Sequence, residues 1–154
     1  MIDSITIRPG LGVGDLPFGA TREETRELFG EADEILVSRS DDSSEIWIYE
    51  SAALAVRFAA EEDFRFVSCE TFSRRAHLNG ERIVGLERSE AESALRRAGI
   101  EDAEWIEEED GRTELRAWED SLNVWLENDA VESIGWSVLV GPDDEILWPE
   151  PPVS

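Results

Sequence analysis

The sequence predicts an α+β fold, a tandem repeat of one helix plus a four-stranded antiparallel sheet, with the helices on one sheet face. Residues 45–58 and 114–126 each alternate apolar and polar positions on both sides of a short acidic turn, as β-hairpins do. A helix pattern precedes each hairpin. The two stretches resemble each other, with Tyr49-Glu50 corresponding to Trp118-Glu119 and, 68 residues apart, Leu54, Val56 and Phe58 corresponding to Leu122, Val124 and Leu126.

The first repeat begins with an alternating strand at residues 2–7, followed by a glycine-containing lead-in. Thr21 and Glu24 have the spacing of a capping box, so they predict the start of a helix that ends at Gly30. Thr25, Leu28 and Phe29 form its inward stripe. Short strands are expected at residues 35–37, around Trp47 and Leu54, and at 64–72.

The second repeat follows the same order. A helix is predicted at residues 89–98, with Ala91, Leu95 and Ala98 inward and Gly99 ending it. Strands are predicted at residues 105–106, 114–119, 121–127 and 131–139. We therefore divide the chain into residues 1–76, the first repeat with the N-terminal strand, and residues 77–154, the second repeat with the C-terminal tail. The two sheets can also run on as one.

Charge restricts the class of partner. The chain has 37 acidic and 14 basic residues, a net charge of −23, and all its basic residues are arginine. Residues 80–154 carry 21 acids and 6 arginines, a net charge of −15. Such a field repels nucleic acid and anionic membranes and attracts cationic partners. The charge is equally explained as a solubilising surface of a salt-adapted organism.

The sequence offers no chemistry for catalysis. The one histidine, His77, has no cysteine or patterned acid nearby, so we expect neither a metal site nor a catalytic triad. We expect no cofactor and no enzymatic activity. The single cysteine, Cys69, cannot form an internal disulfide, and the N-terminal residues do not resemble a signal peptide. These features predict a cytoplasmic protein that is a monomer or a weak homodimer.

The alternation assigns two faces to the sheet. Apolar residues that include Ile46, Ile48, Val56, Leu115 and Val124 are expected to face the helices. The opposite face then receives aromatic residues and arginines, which are enriched in binding hot spots. An acidic stretch in the second repeat adds a docking patch for a basic protein. The predicted partner-binding residues are Trp47, Tyr49, Arg57, Arg116, Trp118, Trp125, Glu107, Glu108, Glu109 and Asp110. The aromatic residues can alternatively stabilise the sheet by stacking or be covered by the termini.

The residues also resemble known families. Residues 18–24, FGATREE, followed by Leu28-Phe29-Gly30, Trp47-x-Tyr49 and Leu54-x-Val56-x-Phe58, resemble the BamE/SmpA-type outer-membrane assembly domain. A weaker second copy extends the resemblance over nearly the whole chain. A tandem pair of such units is similar to the β-lactamase inhibitory protein family, in which an aromatic-rich sheet clasps an enzyme. It is also similar to immunity proteins of polymorphic toxin systems.

These resemblances imply a non-catalytic, protein-binding inhibitor. The expected function is that of an immunity protein that neutralises a cognate toxin by occlusion, and a nuclease toxin suits the acidic surface because its cleft is basic. One alternative is a small-molecule or peptide-binding module that uses the same face. Another is an acidic scaffold protein. A deep pocket between the sheet halves would favour the small-molecule binder.

Overall fold

A computed structural model describes residues 5–37, 44–101, 103–107, 113–117, 121–143 and 145–149. Most of these residues lie in or beside β-strands. The strands are β1 (Ile7–Arg8), β2 (Gly12–Val13), β3 (Leu16–Pro17), β4 (Glu34–Val37), β5 (Glu45–Tyr49), β6 (Leu54–Ala59), β7 (Arg65–Thr71), β8 (His77–Leu78), β9 (Glu81–Arg82), β10 (Glu104–Glu107), β11 (Thr113–Ala117), β12 (Leu122–Glu127), β13 (Ala130–Ser137), β14 (Leu139–Val140) and β15 (Ile146–Leu147).

Two short helices begin where the sequence predicts them. Helix α1 (Arg22–Phe29) starts at a complete capping box, in which the Thr21 hydroxyl accepts from the backbone N–H of Glu24 and the Glu24 carboxylate accepts from that of Thr21. Helix α2 (Arg88–Arg97) has Glu87 at its N-cap, with no hydrogen bond from that side chain to the helix. The predicted inward residues of α2 are buried, whereas Leu28 of α1 is 41% exposed.

The architecture is dominated by one antiparallel sheet of eight strands, in the order β10-β11-β12-β13-β7-β6-β5-β4. Strands β13 and β7 join its two halves through four residue pairs, from Ile134↔Thr71 to Ser137↔Ser68. Strands β1–β3 form a separate small sheet. The indole N–H of Trp136, on β13, donates to the carbonyl of Gly12, on β2, at 2.8 Å and so connects the two sheets.

The predicted fold class is therefore wrong. In the described part of the chain, 47% of residues are in strands and 19% in helices, including the short 3₁₀ helices Glu50–Ala52 and Ala60–Glu62. The large sheet is continuous instead of being a tandem pair of four-stranded units. The physical reason lies at the junction, because two separate sheets would each expose an edge strand there. Pairing β7 with β13 satisfies the backbone N–H and C=O groups of both strands. The division at residues 76 and 77 stays a prediction.

One face of the sheet packs against both helices and carries most of the core. We call it the helix face. Trp47 and Trp105 on this face lie under arginines of α1 and α2, with the guanidinium of Arg26 5.2 Å from the Trp47 ring and that of Arg88 4.1 Å from the Trp105 ring. The predicted core residues confirmed as buried here are Leu54, Val56, Phe58, Leu115, Ala117, Leu122, Val124 and Leu126.

Candidate partner-binding face

The other side of the sheet, which we call the open face, carries a row of side chains across all eight strands. Strand pairing places these residues opposite one another in turn: Glu104, Arg116, Asn123, Gly135, Glu70, Ala55, Ile48 and Glu34. Neighbouring rows add Ile106, Glu114, Trp125 and Ser133 at one end, and Ser137, Ser68, Arg57, Ile46 and Leu36 at the other. These rows define the surface on which a partner could bind.

The prediction that Trp47 and Tyr49 lie on the open face is wrong. Tyr49 pairs with Leu54 and Trp47 with Val56, so both aromatic residues share the helix face with the core. Trp47 is 1% exposed and Tyr49 is 4% exposed. Ile46 and Ile48, predicted to face the helices, lie on the open face instead.

Polar contacts explain why these two aromatic side chains can be buried. The Trp47 indole N–H donates to the Glu45 carboxylate at 3.0 Å, and the Tyr49 hydroxyl donates to the Gly30 carbonyl at 3.0 Å. Burial raises the pKa of Tyr49 to about 12, with Arg26 opposing the change and Glu31 and Asp33 adding to it. Buried Trp and Tyr need such partners for their N–H and O–H groups. The C-cap residue of α1, Gly30, supplies the partner of the Tyr49 hydroxyl.

Arg116 is held by a carboxylate that the sequence analysis did not single out. Glu114 is fully buried on the open face and accepts two hydrogen bonds from the Arg116 guanidinium, at 2.7 Å from Nε and 2.6 Å from Nη2. The side-chain amide of Asn123, on the adjacent strand, also donates to it. A bidentate arginine and a third donor compensate the loss of water around a buried carboxylate. The guanidinium is therefore held in position before any partner binds.

Trp125 lies directly beside this group. It pairs with Glu114 on one side and with Ser133 on the other, and its side chain is half-buried. The Ser133 hydroxyl donates to the Glu70 carboxylate at 2.8 Å, which links β13 to β7. None of Glu114, Asn123, Ser133 and Glu70 is among the partner-binding residues predicted from the sequence. The available signal was that Glu114 and Asn123 have the same alternation phase as Arg116 and Trp125.

Small residues surround Glu70 in the middle of the open face. Gly135, Ala55 and Ser68 separate the Trp125 side from Arg57, which contacts the Ser44 hydroxyl at 3.4 Å. Arg57 and Arg116 lie four strands apart, about 19 Å at the usual strand spacing. The open face therefore has Glu70 among small residues in its middle, an arginine on each side and a tryptophan beside one of the arginines.

The predicted acidic patch is described only at its first residue. Glu107 is exposed at the end of β10, on the helix face, with its carboxylate 3.8 Å from the Arg88 guanidinium. The structure thus places Glu107 at the sheet edge and not on the open face with Trp125. The predicted residues Trp118, Glu108, Glu109 and Asp110 lie outside the described residues.

A cleft of about 550 Å³ lies away from the open face, between the N-terminal strand, the β8–β9 hairpin and the end of α2. The Thr6 hydroxyl and His77 Nε2 lie 3.3 Å apart at this cleft. Buried Cys69 is a free thiol whose pKa is raised by burial. Within the described ranges, no three histidine, cysteine or acidic side chains cluster as metal ligands would. No helix there is long and apolar enough to cross a membrane.

Comparison with known proteins gives one structural similarity. No family model and no curated protein matches the chain. The structure is similar to the crystal structure of an extracellular protein containing an SCP domain from Bacillus anthracis str. Ames, with 12% sequence identity and a TM-score of 0.47. The match covers 78% of this chain and 43% of that one, so the chain spans less than half the length of the solved protein.

Proposed function

We propose that the chain is a cytoplasmic, non-catalytic inhibitor that binds a basic protein, and most specifically an immunity protein that blocks a cognate toxin by occlusion. The observation that carries the proposal is Trp125 beside the Glu114–Arg116–Asn123 group on the open face. Tryptophan and arginine dominate binding hot spots, and a side chain already held in place loses less entropy on binding. This group is the centre of the proposed interface.

The shape of the open face supports occlusion of a protein and not capture of a small ligand. Its middle is formed by Gly135, Ala55 and Ser68 around the Glu70 side chain, so a partner protein would bind across a broad surface between the two arginines. A cleft of about 550 Å³ lies elsewhere, at Thr6 and His77, and another of about 670 Å³ lies beside Glu87 and Asn128. Neither cleft lies between the sheet halves, where the small-molecule alternative would place its site.

Charge supports a basic partner. Residues 80–154 carry 21 acids and 6 arginines, and they contribute the strands that hold Arg116 and Trp125. A field of this sign accelerates encounter with a cationic protein before contact is made. Nucleases are the natural class of toxin, because a cleft that holds phosphate is basic. The acidic residues raise the association rate, whereas contacts of Trp125 in the complex lower the dissociation rate.

The test is stopped-flow binding to a candidate toxin, for example the product of a neighbouring gene, at low and high salt. Trp125→Ala should raise the dissociation rate by about 30-fold, since hot-spot residues cost about 2 kcal/mol or more when truncated. Trp148→Ala is the matched control, because Trp148 is also half-buried but packs against Gly19. Equal effects of the two substitutions would place the interface away from the open face.

A second set of variants tests the charge. Neutralising Glu107, Glu108, Glu109 and Asp110 together should slow association at low salt, and added salt should remove the difference. Toxin activity measured in the same samples reports occlusion directly. If the complex forms without inhibiting the toxin, the occlusion mechanism fails even if binding is confirmed.

A further inference from the structure

The two edges of the eight-stranded sheet differ in how they are protected. Strands β10 and β4 form the edges and have four residues each, so length does not distinguish them. At β10, Glu104 and Glu107 are exposed at the ends, and Arg88 of α2 covers Trp105 and contacts Glu107. Charged residues and covering side chains are the usual means of preventing strand addition at an edge. The β10 edge is therefore protected against the addition of another strand.

The β4 edge carries three consecutive apolar residues in contact with solvent. Ile35, Leu36 and Val37 are 46%, 45% and 58% exposed. Helix α1 packs one strand further in, where Phe29 contacts Tyr49 edge-on with ring centroids 5.8 Å apart. Among the described residues, no strand pairs with the outer side of β4. In the part of the chain that the structure describes, this edge therefore has exposed apolar side chains on both faces and no strand at its outer side, as a site for strand addition requires.

The charges beside β4 indicate which kind of partner binds at this edge. Glu31, Asp33 and Glu34 precede the apolar residues. Among the described residues, Arg26 is the arginine that pairs with this group, with its guanidinium 3.2 Å from the exposed Glu31 carboxylate. A second copy of the chain would bring another −23 charge and the same acids to this edge. Like charges across an interface oppose association, whereas a cationic segment is attracted. A basic partner segment is the better match.

We propose that β4 is a docking edge for an extended, basic segment of a partner protein, which adds to the sheet as a ninth strand. The segment pairs its backbone with β4 and places apolar residues beside Ile35, Leu36 and Val37. An arginine or lysine of the segment lies opposite Glu34, as an oppositely charged cross-strand pair. This edge is separate from Trp125, so the inference goes beyond the proposed function and does not depend on it.

The experiment uses a fluorescently labelled synthetic peptide, Arg-Thr-Val-Ile-Val-Thr-Arg, and the full-length protein at low salt. We expect saturable binding by anisotropy and slower hydrogen exchange of the β4 amides when the peptide is present. The same peptide with alternate backbone amides methylated should bind at least about tenfold more weakly, because it cannot pair along the edge. A version with glutamate in place of both arginines should also bind more weakly.

Leu36→Ser tests the protein side and should weaken peptide binding about tenfold. Val140→Ser is the control, since Val140 is 54% exposed on β14, away from this edge. Trp125→Ala should leave the peptide affinity unchanged, which keeps this test separate from that of the open face. Absence of binding, or exchange protection at β10 in place of β4, would overturn the proposal. So would a dimer in sedimentation that Leu36→Ser dissociates, because the occupant would then be a second copy.

Discussion

The hairpins β5–β6 and β11–β12 have the same layout but place their large aromatic residues on opposite faces. Each links its strands through four residues, so that Tyr49 pairs with Leu54 and Ala117 pairs with Leu122. In the first hairpin Trp47, on β5, faces the helices. In the second, Trp125 faces away from them. The same strand pairing across the turn therefore accompanies buried aromatic side chains in one half and a half-buried tryptophan on the open face in the other.

The difference follows from what each strand offers to the two faces. In β5 both alternation phases are apolar, Ile46 and Ile48 against Trp47 and Tyr49, and the pair with the larger apolar area is buried. In β11 only one phase is apolar, because Glu114 and Arg116 occupy the other. A strand with one apolar phase determines its own orientation, whereas a strand with two depends on its partners.

The largest expected effect compares the same substitution in the two hairpins. Trp47→Ala should lower the free energy of unfolding by about 3–5 kcal/mol, because it opens a cavity and leaves Glu45 without its indole donor. Trp125→Ala should cost only about 1–2 kcal/mol, since that side chain is half-buried. Urea unfolding of both variants measures the difference. Similar losses would mean that the faces do not differ in burial.

A smaller effect concerns the carboxylate under Arg116. Glu114→Ala should lower the free energy of unfolding by about 2–3 kcal/mol. This is somewhat less than the loss on breaking a fully buried ion pair, because the Arg116 side chain is 28% exposed. The double variant Glu114→Leu/Arg116→Met should recover part of the loss, since neither charge remains. Denaturant unfolding of the single and double variants measures the coupling. A double variant less stable than Glu114→Ala would contradict this account.

Tyr49 makes the free energy of unfolding depend on pH. The second hairpin has no such residue, because Ala117 occupies the corresponding position. The folded pKa of about 12 exceeds the ordinary value of 10.0, so the unfolded chain loses this proton first. The stability contribution is complete below pH 10 and should be lost as pH rises towards 12. Tyrosinate absorbance reports it cleanly, since the chain has one tyrosine. Tyr49→Phe should cost about 1 kcal/mol at neutral pH and remove this dependence.

The smallest effect compares the helix starts of the two halves. Thr21→Ala removes one side of the capping box of α1 and should cost about 1 kcal/mol. Glu87→Ser introduces a good N-cap at α2, where the present side chain makes no capping bond, and should add about 0.5 kcal/mol. Thermal unfolding of the two variants should therefore shift in opposite directions. A loss in both would indicate that Glu87 has another structural role.

Local signals in the sequence predicted the elements well. The capping box at Thr21, the buried stripe of α2, and the alternation of β6, β11 and β12 are all found in the structure. These features depend on residues close together in the chain. The open-face positions of Arg57, Arg116 and Trp125 were also predictable, because each lies on a strand with a single apolar phase.

The orientation of β5 was not predictable in this way. Matching Tyr49 to Trp118 by residue type put Trp47 in phase with Arg116, whereas strand pairing places Tyr49 at the position of Ala117. Residue similarity favoured one alignment across the turn, and the hydrogen-bond register adopted another. Successive side chains of a strand point to opposite faces of the sheet. A register error of one residue therefore moves every side chain of the strand to the other face.

The sequence alone determined the short-range features of this protein, namely its two helices, its hairpins, its acidic charge and the arginine–tryptophan side of the open face. Tertiary structure decided that the strands form one sheet through β7 and β13, that Trp47 and Tyr49 are buried, and that Glu114 lies beneath Arg116. The physical reason is that these outcomes depend on contacts between residues far apart in the chain. Burial and hydrogen bonding are shared there among several strands and a helix, and no local pattern specifies the partner.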